Sequence, residues 1–123
     1  MPMKPSSLLV VLCCLGVAAS TRAQSTGQYP SAAEGDVVAR DFRFGSGETL
    51  PSLNLHYRTS GTPRRDASGV VRNAVLILHG TGGTGAGFLS QTFGGGLFGA
   101  GQALDTARYF IILPDGIGHG KSS

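Results

Sequence analysis

The sequence predicts an α/β protein in which an antiparallel strand pair leads into a parallel sheet, and three observations carry that expectation. Residues 52–59 alternate apolar and polar side chains, as a half-buried strand does. Residues 74–78 (AVLIL) and 109–113 (YFIIL) are unbroken apolar runs, the pattern of strands covered on both faces. A glycine-dense connection joins these two runs, and strand, connection, strand is the outline of a βαβ unit. No internal repeat accompanies it.

At 123 residues the chain has room for one domain, and its first part is not expected to belong to it. Lys4 precedes a twelve-residue apolar run, Leu8 to Ala19, that is shorter than the roughly 20 residues of a membrane span. A positive start, a short apolar core and a small-residue exit read as a secretory signal peptide over 1–23, cleaved after Ala19 or Ala23. The competing reading is a short buried N-terminal helix. The expected location is therefore periplasmic or secreted, with no stable membrane span. Cys13 and Cys14 both lie in the apolar run, so the mature chain has no thiol for a disulfide or a metal site. From Gln24 onward eight basic and seven acidic residues nearly balance, and no basic run remains to bind nucleic acid.

Residues 24–35 are small and polar and read as a flexible leader. The domain itself is placed over 36–123. Its first strand is expected at Asp36–Phe44, followed by a Gly45–Glu48 turn signal and a second strand at Ser52–Thr59. In that second strand Leu53, Leu55 and Tyr57 occupy one face, and Asn54, His56 and Arg58 the other, where His56 is expected to be solvated. Residues 61–72 are a polar connection. Residues 100–108 (AGQALDTAR) are the expected site of a short helix between the two apolar strands. Six glycines among the sixteen residues 86–101 argue against a long helix there, since each costs about 1 kcal/mol relative to alanine.

Three glycine motifs compete for the function. Gly116 to Ser122 ends in Gly-Lys-Ser, but only three residues separate Gly116 from Gly120 where a phosphate loop needs four. Asp115, a carboxylate, stands where that loop has its first glycine. Gly80 to Gly85 fits G-x-G-x-x-G after a strand, yet a dinucleotide site needs a helix to follow directly. No acidic residue stands at the next strand's end with the usual spacing: Asp105 precedes that strand and Asp115 lies thirty positions on. The third reading takes both segments together: His79-Gly80-Thr81-Gly82-Gly83 after one strand, and an Asp115-x-x-Gly118-x-Gly120-x-Ser122 turn after the next.

Taken as a pair, these segments resemble the α/β-hydrolase superfamily. "SGETLPSLNLHYRTSGT", "NAVLILHGTGG" and "ALDTARYFII" extend the likeness to the homoserine O-acetyltransferase branch. The resemblance covers residues 36–123 and implies the N-terminal part of an α/β-hydrolase fold, incomplete in this chain. It implies acyl-transfer chemistry by a serine nucleophile on a small-molecule ester or other acyl bond, with no cofactor and no metal. It places one oxyanion-hole donor at the backbone N–H of Thr81, with Gly80 and Gly82 allowing close approach. The competing reading of His79-Gly80 is a plain strand-ending turn.

By the same resemblance the catalytic base comes last in the chain, so His79 is expected to order its loop by hydrogen bonding. Asp115, Gly118, His119, Gly120 and Ser122 form the strand-four turn, with Asp115 shaping it and Ser122 not a nucleophile. Phe88, Phe93 and Phe98 either line an acyl pocket or pack the core. No G-x-S-x-G occurs in the 123 residues, and the resemblance places serine, acid and base beyond Ser123. These residues alone are therefore expected to be an inert fragment with no catalytic residue. Two details favour a hydrolase over the transferase: the His-Gly-Thr-Gly-Gly loop, and a turn without the transferase's glycine-threonine-glycine-proline ending. Export also separates the chain from cytoplasmic acetyl-CoA.

Overall fold

The computed structural model describes residues 31–123, so the expected signal peptide, both cysteines and most of the leader lie outside the described residues. Four strands form one mixed sheet in the order β1-β2-β4-β3. β1 (Ala33–Arg43) and β2 (Thr49–Ser60) are the expected antiparallel hairpin, running from Ala33 opposite Thr59 to Arg43 opposite Thr49. Phe44 and Gly47 close the turn between them: the Gly47 N–H donates to the Phe44 carbonyl at 2.9 Å, and Gly47 sits at φ +99°. β4 (Phe110–Pro114) lies between β2 and β3 (Ala74–Leu76), antiparallel to the former and parallel to the latter. The parallel pair is the expected βαβ outline.

Register decides which side chains share a face. Arg58 pairs with Leu113, Ser60 with Ile111, and Val75 with Ile111, so these residues project to one side. Ile111 and Leu113 on that side pack with Leu89 and Phe98 in one buried cluster, while Leu53 is buried on the opposite face of β2. Phe88 and Phe93 pack against the same cluster, with ring centroids of Phe88 and Phe93 4.7 Å apart. Of the two readings of the three phenylalanines, core packing is the one the structure displays.

Three expectations are corrected. Residues 74–78 were expected to be covered on both faces, but Leu76 and Leu78 are 60% and 68% exposed. They point to the side opposite Ile111 and Leu113, and β3 is an edge strand. Residues 100–108 form turns, not a helix. The Asp105 carboxylate accepts the Gly101 and Ala107 N–H groups, each at 2.8 Å, and so offers the backbone an alternative to helical bonding. Those two amides also hold the Asp105 carboxyl below its ordinary value. The helical pieces lie earlier and are short: a 3₁₀ turn, Gly85–Leu89, and one turn of α1, Gly94–Leu97. The glycine content caps their length, as expected.

The third correction concerns His56. It is 3% exposed instead of solvated, and Arg58 and Ser60 beside it are buried too. The polar face of β2 is an inner face because it is the side shared with Ile111 and Leu113. There the Asp115 carboxylate accepts Arg58 Nη1 and the Lys121 carbonyl accepts Asn54 Nδ2, while residues 115–123 run beside the strand. The Asp115 N–H donates to the His56 carbonyl at 2.8 Å, and the Ser123 N–H to the Asn54 carbonyl at 2.9 Å.

Candidate active-site loops

Two loops leave the sheet side by side, one after β3 and one after β4. The β3 loop turns at Gly80–Gly83, where the Gly83 N–H donates to the Gly80 carbonyl at 3.0 Å. Gly82 is the third residue of that turn, at φ +80°, a position a type II turn reserves for glycine. Thr81 is exposed at the turn's second position. Among the described residues, the backbone N–H groups of Thr81 and Gly82 donate to nothing, so both remain free for an outside acceptor.

His79 ties this loop to the next. Its Nε2 accepts the Gly116 N–H at 2.8 Å, and its Nδ1 lies 2.8 Å from the Gly80 carbonyl oxygen. A ring nitrogen that accepts has no proton, so the neutral ring has its proton on Nδ1 and donates it to Gly80. One imidazole thus bridges both loops. Gly116 is suited to this: a Cβ there would come within 3.3 Å of His79 Nε2. The His119 ring stands 5.2 Å from the His79 ring, with Nδ1 3.1 Å from the Ile117 carbonyl oxygen.

The β4 turn is built around Asp115, whose side chain is fully buried. Its Oδ1 accepts the Gly85 N–H at 2.8 Å and Arg58 Nη1 at 3.2 Å, while Oδ2 accepts the Lys121 N–H at 3.0 Å. Burial alone would push this carboxyl up, but the Lys121 and Gly85 amides and the Arg58 charge outweigh it and hold it below its ordinary value. Ser122 Oγ donates to the Asp115 carbonyl at 2.8 Å and accepts the His56 N–H at 2.9 Å, so this hydroxyl is committed to the turn. Gly118 and Gly120 hold φ of +78° and +56°. At Gly120 a Cβ would also run into the Asp115 carboxylate.

Arg58 continues the network outward. It is buried, and its Nε donates to Glu34 Oε1 at 2.9 Å. Glu34 also receives Lys121 Nζ, and these cations draw its carboxyl down, the Lys121 hydrogen bond foremost. His56 Nδ1 lies 3.0 Å from Asp36 Oδ1, and its Nε2, 3.4 Å from Glu34 Oε2, has no hydrogen-bond partner.

A cleft of about 290 Å³ opens where the two loops meet, lined by Leu55, Leu78, His79, Pro114, Asp115, Gly116 and Ile117. The structure therefore brings together His79 and Asp115 from the expected set. Thr81, Gly80 and Gly82 stand on the exposed turn and do not line the cleft. Gly118, His119, Gly120 and Ser122 form the turn as expected, outside the lining. The sequence places Arg58 on the polar face of β2 and Gly85 in a glycine motif but links neither to Asp115, because those contacts span 57 and 30 residues and leave no local pattern. The G-x-G-x-x-G stretch opens onto the five-residue 3₁₀ turn, not onto a helix whose N-terminus could hold a pyrophosphate. Among the described residues no group of three side chains is placed to hold a metal ion, and no helix is long and apolar enough to cross a membrane.

The His79 bridge has a direct readout. In His79→Ala the Gly116 amide loses its acceptor, at a cost of about 1 kcal/mol. Its hydrogen exchange, followed by NMR, is expected to speed up while the amides of β1 and β2 keep their rates. Unchanged protection at Gly116 would mean that the bridge does not form in solution.

No family model matches the chain. It is 37% identical over 86 residues to a homoserine O-acetyltransferase of Leifsonia xyli, an alignment covering 63% of this chain and 20% of the relative. It is 39% identical over 80 residues to that of Thermobifida fusca, covering 59% of this chain and 20% of the relative. Among solved structures it resembles an acetylester hydrolase from Corynebacterium glutamicum at a TM-score of 0.60 and 29% identity, over 73% of this chain and 23% of that one. It resembles the homoserine O-acetyltransferase of Bacillus anthracis at 0.54 and 27%, over 68% of this chain and 23% of the other. The chain thus spans about one fifth of the length of the curated relatives it matches. Over the part that matches, it has the α/β-hydrolase fold and is similar to the homoserine O-acetyltransferases and acetylester hydrolases of that superfamily.

Proposed function

We propose that these residues supply the oxyanion loop of an exported serine-nucleophile enzyme that transfers an acyl group from a small ester to water. One observation carries this reading above the others: the Thr81 and Gly82 N–H groups are unengaged, on a turn at the end of a parallel strand that His79 pins to the neighbouring loop. Acyl transfer needs donors held in place where negative charge develops on the tetrahedral oxygen, and backbone N–H groups on a braced turn meet that need. Thr81 is assigned as the donor through its backbone, its hydroxyl having no part. His79 is a positioning residue and Asp115 a structural one. The nucleophile, acid and base come from sequence beyond Ser123.

Transfer to an alcohol is the second reading, and the 37% and 39% identities to homoserine O-acetyltransferases favour it. The His-Gly-Thr-Gly-Gly loop and an exported location favour water.

The test begins with the coding frame beyond codon 123. A frame that continues into a G-x-S-x-G turn, with Asp and then His later, is expected. Its product should hydrolyse p-nitrophenyl acetate and be labelled on that serine by a fluorophosphonate, whereas the 123-residue chain should hydrolyse the ester no faster than buffer. A stop after codon 123, or a product with no labelled serine, overturns the reading. Thiol release from acetyl-CoA that depends on added homoserine would select the transferase.

A further inference from the structure

β1 is an edge strand eleven residues long, and its outer rim of backbone N–H and C=O groups has no partner among the described residues. Val37 and Val38 at its centre are 53% and 52% exposed. An exposed edge of this length with apolar side chains invites another strand. We propose that the occupant is a second copy of β1, paired antiparallel about a two-fold axis through Val38, so that two four-stranded sheets join into one of eight.

Charge chooses the partner and the register. The sequence Asp36-Val37-Val38-Ala39-Arg40 is self-complementary when reversed. With Val38 opposite Val38 of the second copy, Asp36 of each chain faces Arg40 of the other, giving two cross-strand ion pairs. Both groups are available for it. Arg40 is exposed and forms no ion pair among the described residues. Asp36 uses Oδ1 for both Asn54 and His56, which leaves Oδ2 without a partner among them.

Neighbouring registers are worse. A shift of one residue sets Asp36 or Glu34 opposite Asp41, a like-charge pair in either direction. Centring on Val37 would set Glu34 opposite Arg40, but Arg58 and Lys121 already occupy both Glu34 oxygens. An isologous pairing also closes on itself and leaves no further β1 edge to extend.

The test uses the 123-residue chain with Cys13 and Cys14 replaced by serine. On the two-fold axis the Cα atoms of residue 38 would lie ~4.5–5.5 Å apart, within disulfide range. Val38→Cys should therefore oxidise to a covalent dimer, while Val70→Cys, at a comparably exposed site off the strand (47%), should not. Sedimentation of the unmutated chain should show a dimer, and Arg40→Asp, which sets like charges opposite each other, should shift it to monomer. Arg40 has no internal partner, so that variant keeps its fold. A monomeric unmutated chain, equal crosslinking at both cysteines, or a ladder of higher species in place of a dimer would each overturn the proposal.

Discussion

Replacing Asp115 with alanine is expected to remove about 3–5 kcal/mol of folding stability, the usual loss when one partner of a buried ion pair is deleted. That is a large part of the ~5–15 kcal/mol that holds a domain folded. The carboxylate is fully buried and serves three donors from three places: Gly85 at the start of the 3₁₀ turn, Arg58 on β2, and Lys121 in its own turn. Without it the Gly85 and Lys121 amides lose their acceptors, and Arg58 keeps only Glu34. Asparagine is expected to do little better. Both carboxylate oxygens face N–H donors, so an amide must turn its own NH₂ toward one of them. Glu48→Gln, at an exposed site whose one side-chain bond is to Ser46, is the control and should stay within about 0.5 kcal/mol.

The measurement is urea unfolding of each variant across pH. Asp115 is held below its ordinary value of 3.8 in the folded chain, so its ionised form stabilises the fold at neutral pH. That contribution is complete above the ordinary value and is lost as pH falls through the lower, folded one. The gap between the unmutated chain and Asp115→Asn should therefore close on acidification. A gap that is small at neutral pH, or that stays constant in acid, would mean the carboxylate is not the centre of this turn.

Asp115 also shows what the sequence could and could not convey. Its position after an apolar run, followed by glycines at fixed offsets, marks a turn, and the turn is where it was expected. That the same carboxylate reaches Arg58 and Gly85 depends on how β2 and the β3 loop pack, which no local pattern records. His56 failed for a related reason. Alternation along β2 separates two faces but does not say which one is inside, and here the polar face is on the side of Ile111 and Leu113. Leu76 and Leu78 fail in the opposite sense: an apolar run announces a strand that could be covered on both sides, whereas covering it takes other segments. The β1-β2 hairpin was readable because period and turn chemistry are local, whereas the antiparallel pairing of β2 with β4 is not local and was not. The Asp105 carboxylate, which binds its own neighbours' amides where a helix was expected, was not readable.

The second large effect separates a backbone role from a side-chain role at Thr81. In the full-length enzyme proposed above, Thr81→Val should turn over esters at close to the unmutated rate, since the proposal gives the hydroxyl no part. Thr81→Pro removes the N–H and should lower kcat by about 10²–10³-fold, the loss typical of one oxyanion donor. KM should change little, because the bond strengthens as charge develops and is weak to the ground-state carbonyl. The proline should not unfold the loop: Thr81 is exposed, its N–H bonds to nothing among the described residues, and the residue before it is glycine. An intact melting transition in both variants would confirm that. If valine is as damaging as proline, the hydroxyl matters and the backbone assignment is wrong. If neither variant is impaired, the donor is elsewhere, and Gly82, whose N–H is equally free, becomes the residue to examine.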